Sequence, residues 1–185
     1  MDYSVQASGF TVGDFNGDGK VDVVVPSAGA SIFRGNGDGT LQPAVPLNQT
    51  AGNVYTAAAS VDFNGEGKPD LLFLTPDFGS GATMAILLGN GDGTFQPAVT
   101  YSLSIAPYLA LGDFNGDGKP HLAVAGGYGV LSYFSLTTLV NRGDGTFTNP
   151  VNFPERENSI LLIRRIRECC CGASAKGGFE IERRS

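Results

Sequence analysis

The chain has no tryptophan, a single histidine and no cysteine before residue 169. Its three cysteines follow one another as Cys169, Cys170 and Cys171. A disulfide framework in the preceding body is therefore excluded, and without a CxxC spacing a zinc site has little to build on. One histidine leaves no Ser/His/Asp or Cys/His pairing to assemble in the body. Basic residues are nearly as scarce: residues 1–151 hold five Lys or Arg against thirteen Asp or Glu. A surface of that sign does not displace counterions from phosphates, which argues against nucleic-acid partners. Long apolar runs are missing too. The longest nearly uncharged one, Val130 to Val140, falls short of the ~20 residues that cross a bilayer as a helix. The opening MDYSVQASGF has neither a basic start nor an apolar core, so no secretory signal is read. Either the protein stays inside the cell or the chain begins downstream of its signal.

What the chain has in quantity is glycine, 27 of 185 residues, with 16% charged. That mixture favours turns and short strands over long exposed helices. The glycines are also ordered. GDFNGDGKVD (Gly13 to Asp22) returns as VDFNGEGKPD (Val61 to Asp70) and GDFNGDGKPH (Gly112 to His121), with leading aspartates Asp14, Asp62 and Asp113 spaced by 48 and 51 residues. A second motif, GNGDGTLQPAV (Gly35 to Val45), returns as GNGDGTFQPAV (Gly89 to Val99) and NRGDGTFTNPV (Asn141 to Val151). Two unrelated motifs that keep one order and one period define a structural repeat. The middle unit reads as four short strands, Tyr55 to Val61, Leu71 to Pro76, Thr83 to Gly89 and Phe95 to Leu103, with Asn-Gly and Asp-Gly turns between them. The segments after the acidic loops, VDVVV, LLFL and LAVA, are apolar on both faces, so each sheet is covered on both sides. The predicted fold is all-β: about three four-stranded antiparallel propeller blades over residues 1–151, an incomplete or open propeller, followed by a non-repeat tail over 152–185.

The first acidic loop places Asp14, Asn16, Asp18 and Asp22 at positions 1, 3, 5 and 9, glycine at 6 and Lys20 at 7. This is the first nine places of a calcium loop. Calcium takes six to eight oxygens, and closely packed carboxylates repel one another without a cation. Lysine is a poor neighbour for a cation, so only its carbonyl is expected to face in. The second loop offers Asp62, Asn64, Glu66, Lys68 and Asp70, with Glu66 one methylene longer. The third offers Asp113, Asn115, Asp117 and Lys119, then His121. Imidazole suits zinc or copper better than calcium. One reading of His121 is an incidental surface histidine in a decayed repeat, leaving the site one anionic oxygen short; the other is a base or transition-metal ligand. Phe15, Phe63 and Phe114, at position 2, are expected to turn away and anchor the loops in the apolar layer. No position 12 glutamate and no helical pattern follow, which argues against an EF-hand. The plain alternative for all three loops is acidic turns without an ion.

The second motif carries one carboxylate per copy and reads as a hairpin turn. Arg142-Gly143-Asp144 in its third copy spells an adhesion tripeptide, but it stands where the other copies have Asn-Gly-Asp. Asn48-Gln49-Thr50 is a glycosylation sequon. In the tail, SILLIRRIRE fits a basic amphipathic helix for a membrane surface or partner, or an unordered extension.

DFNGDGKxD followed by LLGNGDGTFQPAV resembles the FG-GAP/VCBS repeats, the blade units of the integrin α-subunit propeller and of many bacterial secreted or surface proteins. The likeness covers about residues 8 to 151. It implies a β-propeller with Ca2+ in the loop joining the first two strands of each blade, held by the residues just named, and an extracellular or cell-surface setting. Glu66 and His121 depart from the pattern, as do Pro26-Ser27-Ala28 and Gly126-Gly127 where the family's name motif has Gly-Ala-Pro. So does the count of three, since closed propellers have about four to eight blades. The outer faces of units one and three would then be left to further blades or to another copy.

Two functions remain open. One is a non-catalytic, calcium-binding module that serves as a binding or scaffold domain for a protein or glycan, within a larger surface protein. The alternative is a portion of a secreted carbohydrate-active lyase or hydrolase. For the latter, paired carboxylates would have to come from the calcium loops, and Tyr128 and Tyr133 would line a sugar pocket, where the plain alternative for them is interblade packing.

Overall fold

The computed structural model describes residues 9–26, 29–47, 57–75, 82–103, 108–128 and 133–154. Twelve strands form three four-stranded antiparallel sheets in simple up-and-down order, with no helix among the described residues. Unit one holds β1 (Thr11–Gly13), β2 (Asp22–Val25), β3 (Ser31–Phe33) and β4 (Val45–Pro46). Unit two holds β5 (Ala57–Val61), β6 (Asp70–Leu74), β7 (Ala82–Leu87) and β8 (Val99–Leu103). Unit three holds β9 (Tyr108–Gly112), β10 (His121–Tyr128), β11 (Tyr133–Leu139) and β12 (Val151–Pro154). The fourth strand starts later than the sequence suggests. After the Asn-Gly-Asp-Gly-Thr turn only Phe95 pairs, with Gly89, before β8 opens at Val99.

The doubly apolar strands behave as their composition requires. All five residues of β6 are buried. Leu71 and Phe73 join Phe15, Val24 and Ile32 of unit one in one core, and Leu72 and Leu74 join Leu122, Val124 and Leu139 of unit three in another. Strand alternation thus sends one set of side chains to each neighbour. Each fully buried Leu, Ile or Phe contributes about 1.5–3 kcal/mol of transfer free energy, so the stack rests on these two inter-unit cores.

The position 2 phenylalanines extend the cores at the loop end. Phe15 meets Phe95 of the next unit at 5.8 Å, and Phe63 meets Phe147 edge-on at 5.4 Å. Both are 1% exposed. Phe114, expected to do the same, is 49% exposed. Its side of unit three has no further described unit to enter, and Tyr108 of β9 is exposed as well. On unit one, Phe10, Val12, Val21 and Val45 are exposed in turn. The expected tail helix, the cysteines and the sequon lie outside the described residues. Tyr128 and Tyr133 pair in register at the far end of β10 and β11, and their side chains lie outside them too.

Candidate metal centre

Each acidic loop connects the first two strands of its unit and is built by side chains accepting from its own backbone. In loop one, Asp14 Oδ1 accepts the Asp18 N–H at 3.1 Å and Oδ2 the Gly19 N–H at 2.8 Å. Asn16 Oδ1 also takes the Asp18 N–H, and Asp18 Oδ1 takes that of Lys20 at 2.9 Å. Short side chains bonding amides a few residues on make tight Asx turns. The turns need positive φ at Gly17 (72°) and at the expected position 6, Gly19 (80°). Loops two and three repeat this around Asp62 and Asp113. The Gly118 N–H is the main cause holding the Asp113 carboxyl below the ordinary range, and the Lys20 N–H does the same for Asp18. Asn64, then Lys68, lowers Glu66.

The position 9 acids have a second task that spacing alone did not reveal. Asp22 and Asp70 are fully buried. Asp22 accepts the Phe15 N–H at 3.2 Å and the Gly35 N–H at 2.9 Å. Asp70 accepts those of Phe63 and Gly89, both at 2.8 Å. One carboxylate therefore ties the calcium-type loop to the second motif's hairpin and holds the position 2 phenylalanine backbone. Gly35 and Gly89 are forced by this approach, since a Cβ there would lie 2.2 Å from the Val21 carbonyl oxygen or 2.3 Å from that of Pro69. Burial is the main cause raising the Asp70 carboxyl. Its two N–H bonds oppose the rise, and the charges of Asp62 and Glu66 add to it.

The lysines do more than lend a carbonyl. Lys20 and Lys68 lay their stems over Gly37 and Gly91 of the following hairpin. Their Nζ atoms lie 3.7 Å from Asp18 and 3.2 Å from Glu66. Lys119 lies over Gly143 in the same way, but its Nζ donates to the Arg142 carbonyl at 2.9 Å.

The oxygen donors of loops one and two are of the kind that a hard divalent cation takes, although among the described residues their acids do not converge as closely as the trio of loop three. In loop one each carboxylate oxygen of Asp14, Asp18 and Asp22 takes one hydrogen bond. A carboxylate has about four lone-pair sites, so capacity for a metal remains. In loop two a buried carboxylate sits beside two more acids, an arrangement that a cation relieves. Loop three brings ligand atoms of Asp113, Asp117 and His121 within 4.8 Å of one another, the one such trio of His, Cys, Asp or Glu among the described residues. It is a candidate acidic metal-binding triad. His121 is not an incidental surface residue: it is 1% exposed. Opening β10, it takes the place of Asp22 and Asp70 and is enclosed for the same reason.

The second motif is a hairpin turn, as expected. Asp38, Asp92 and Asp144 each accept the N–H and hydroxyl of the threonine two residues on. Asp144 of the Arg-Gly-Asp sequence is thus engaged like its counterparts.

A stack of four-stranded sheets with an acidic loop between the first two strands of each defines a set of propeller-blade repeats. The family model for the FG-GAP-like repeat matches residues 14–73 and 62–124. The chain belongs to that family. No curated protein matches it significantly.

Proposed function

We propose that the chain is a calcium-stiffened, non-catalytic binding or scaffold module of an extracellular or cell-surface protein, engaging a protein or glycan through its loops. The observation that carries this reading is the Asx-turn loop built on Asp14 and again on Asp62, each keyed to a buried acid that locks it to the next hairpin. In loop one, Asp14, Asn16, Asp18, Asp22 and the Lys20 carbonyl would hold the ion. In loop two the corresponding groups are Asp62, Asn64, Glu66, Asp70 and the Lys68 carbonyl. The ion's part is to neutralise the acids and fix the loop. Family membership supports the surface setting, because repeats of this kind are typical of extracellular and surface proteins. The apolar faces of units one and three suit further blades or another copy of the chain.

Affinity in such modules falls at roughly 10⁻⁴–10⁻³ M. Titration calorimetry with Ca2+ tests the first half of the proposal, and melting curves with and without EDTA should part. No heat, and melting indifferent to chelator, rejects it. A glycan array read with and without chelator tests the second half: calcium-dependent capture supports a binding module, and released product supports the enzyme reading instead.

A further inference from the structure

We infer that the third loop is closed by the imidazole N–H of His121 in place of a cation, so that the chain holds two calcium ions and not three. The inference rests on the calcium reading of loops one and two. His121 stands where Asp22 and Asp70 stand, and its Nδ1 lies 3.1 Å from the Asn141 backbone N–H. That N–H corresponds to those of Gly35 and Gly89, so Nδ1 is the acceptor. A neutral imidazole whose Nδ1 accepts carries its proton on Nε2. Nε2 lies 2.8 Å from Asn115 Oδ1, 3.4 Å from Asp117 Oδ1 and 3.8 Å from Asp113 Oδ1. The Nε2–H thus donates to the position 3 oxygen and lies within 4 Å of those at positions 1 and 5, among the atoms that a cation would gather. The triad has ligand atoms at metal-binding distances, but its nitrogen has no lone pair to offer.

Two further differences belong to the same rebuilding. Asn141 occupies the place of Gly35 and Gly89, so both ends of one hydrogen bond have changed together. The Asn141 side chain is itself engaged, donating to the Phe63 carbonyl at 2.8 Å and accepting from the Gly143 N–H at 2.8 Å. The Lys119 Nζ donates to the Arg142 carbonyl, whereas those of Lys20 and Lys68 lie near the position 5 acids.

His121 is the only histidine, so ¹⁵N NMR of the full chain reads its ring without ambiguity. The expected spectrum shows a proton on Nε2 and an accepting Nδ1, unchanged by saturating Ca2+ or by a twofold excess of Zn2+. Calorimetry should count two calcium ions per chain, and three for His121→Asp. Three ions in the unaltered chain, a proton on Nδ1, or a Zn2+ shift of Nε2 overturns the inference. Zero ions with the Nε2–H in place overturns the calcium reading and leaves the imidazole closure standing. Should His121→Asp not fold, the ring spectrum and the ion count of the unaltered chain decide the matter.

Discussion

Loops two and three share a spacing and nearly a sequence, yet they hold their surroundings differently. Asp70 carries two acceptor oxygens and spends them on the backbones of Phe63 and Gly89. His121 has two ring nitrogens, one of which accepts from Asn141 while the other donates into its own loop. It has no acceptor left for the Phe114 backbone. Phe63 lies buried against Phe147, while Phe114 lies exposed. The position 9 residue therefore has a structural task whether or not an ion is bound. As an acid it also holds the backbone of the position 2 phenylalanine, whose side chain is buried where a neighbouring unit receives it.

The sharpest way to break this comparison is to delete the two rings. Phe63→Ala opens a hole between two packed units and should cost about 3–5 kcal/mol. Phe114→Ala removes a half-exposed ring and should stay within about 0.5 kcal/mol. Urea midpoints at constant slope measure both. A large loss for Phe114→Ala would show that its face is covered in solution, by another copy or another part of the chain.

The next largest effect tests the clamp. Asp70→Asn leaves one acceptor oxygen for two buried N–H groups, and an orphaned buried donor costs about 1–3 kcal/mol. His121→Ala should cost a similar amount by orphaning the Asn141 N–H, and should also release the position 3 side chain. If Asp70→Asn is neutral in EDTA and costly only with calcium, the acid serves the ion alone and the comparison fails.

Calcium itself should separate the loops. On the proposed calcium reading, with dissociation constants near 10⁻³–10⁻⁴ M, about 10 mM Ca2+ would stabilise the folded chain by about 1–3 kcal/mol per occupied site. Asp62→Asn should remove one site's share of that shift. Asp113→Asn should leave the shift intact if the imidazole closes the third loop in place of an ion. Thermal melts of the two variants, each with calcium and with EDTA, give the answer directly.

Much of this could be read in the sequence, and what could not has a physical cause. Periodicity exposed the three units, and LLFL between turn signals gave a strand covered on both sides, which β6 confirms. The glycine at position 6 was legible because only its backbone tolerates the turn. The second role of Asp22 and Asp70 was hidden, because Gly35 and Gly89 come near them only after β2 pairs with β3 and β6 with β7. Phe114 was misplaced because a repeated residue was credited with a repeated environment, and the end unit does not have one. His121 looked like a loss when read as a ligand. Its partner Asn141 lies 20 residues on, and the paired change shows only in three dimensions.

The smallest expected effect bounds the comparison from the other side. Asp92 and Asp144 sit in the second hairpins of units two and three and accept from Thr94 and Thr146 in the same way. In both, the threonine hydroxyl is the first cause, and the threonine N–H the second, that lowers the carboxyl below its ordinary value. A carboxyl lowered in the folded state binds its proton more weakly there than in the unfolded chain. Its contribution is therefore present above the unfolded value and is lost as the pH falls through the folded one, below about pH 4. Asp92→Asn should flatten the acid limb of the stability profile slightly, and Asp144→Asn should flatten it equally, since the clasp is the same in both units. Urea midpoints between pH 3 and pH 6 measure each. Unequal slopes would mean that the difference between units two and three is not confined to the acidic loop but reaches into the hairpin that His121 touches through Asn141.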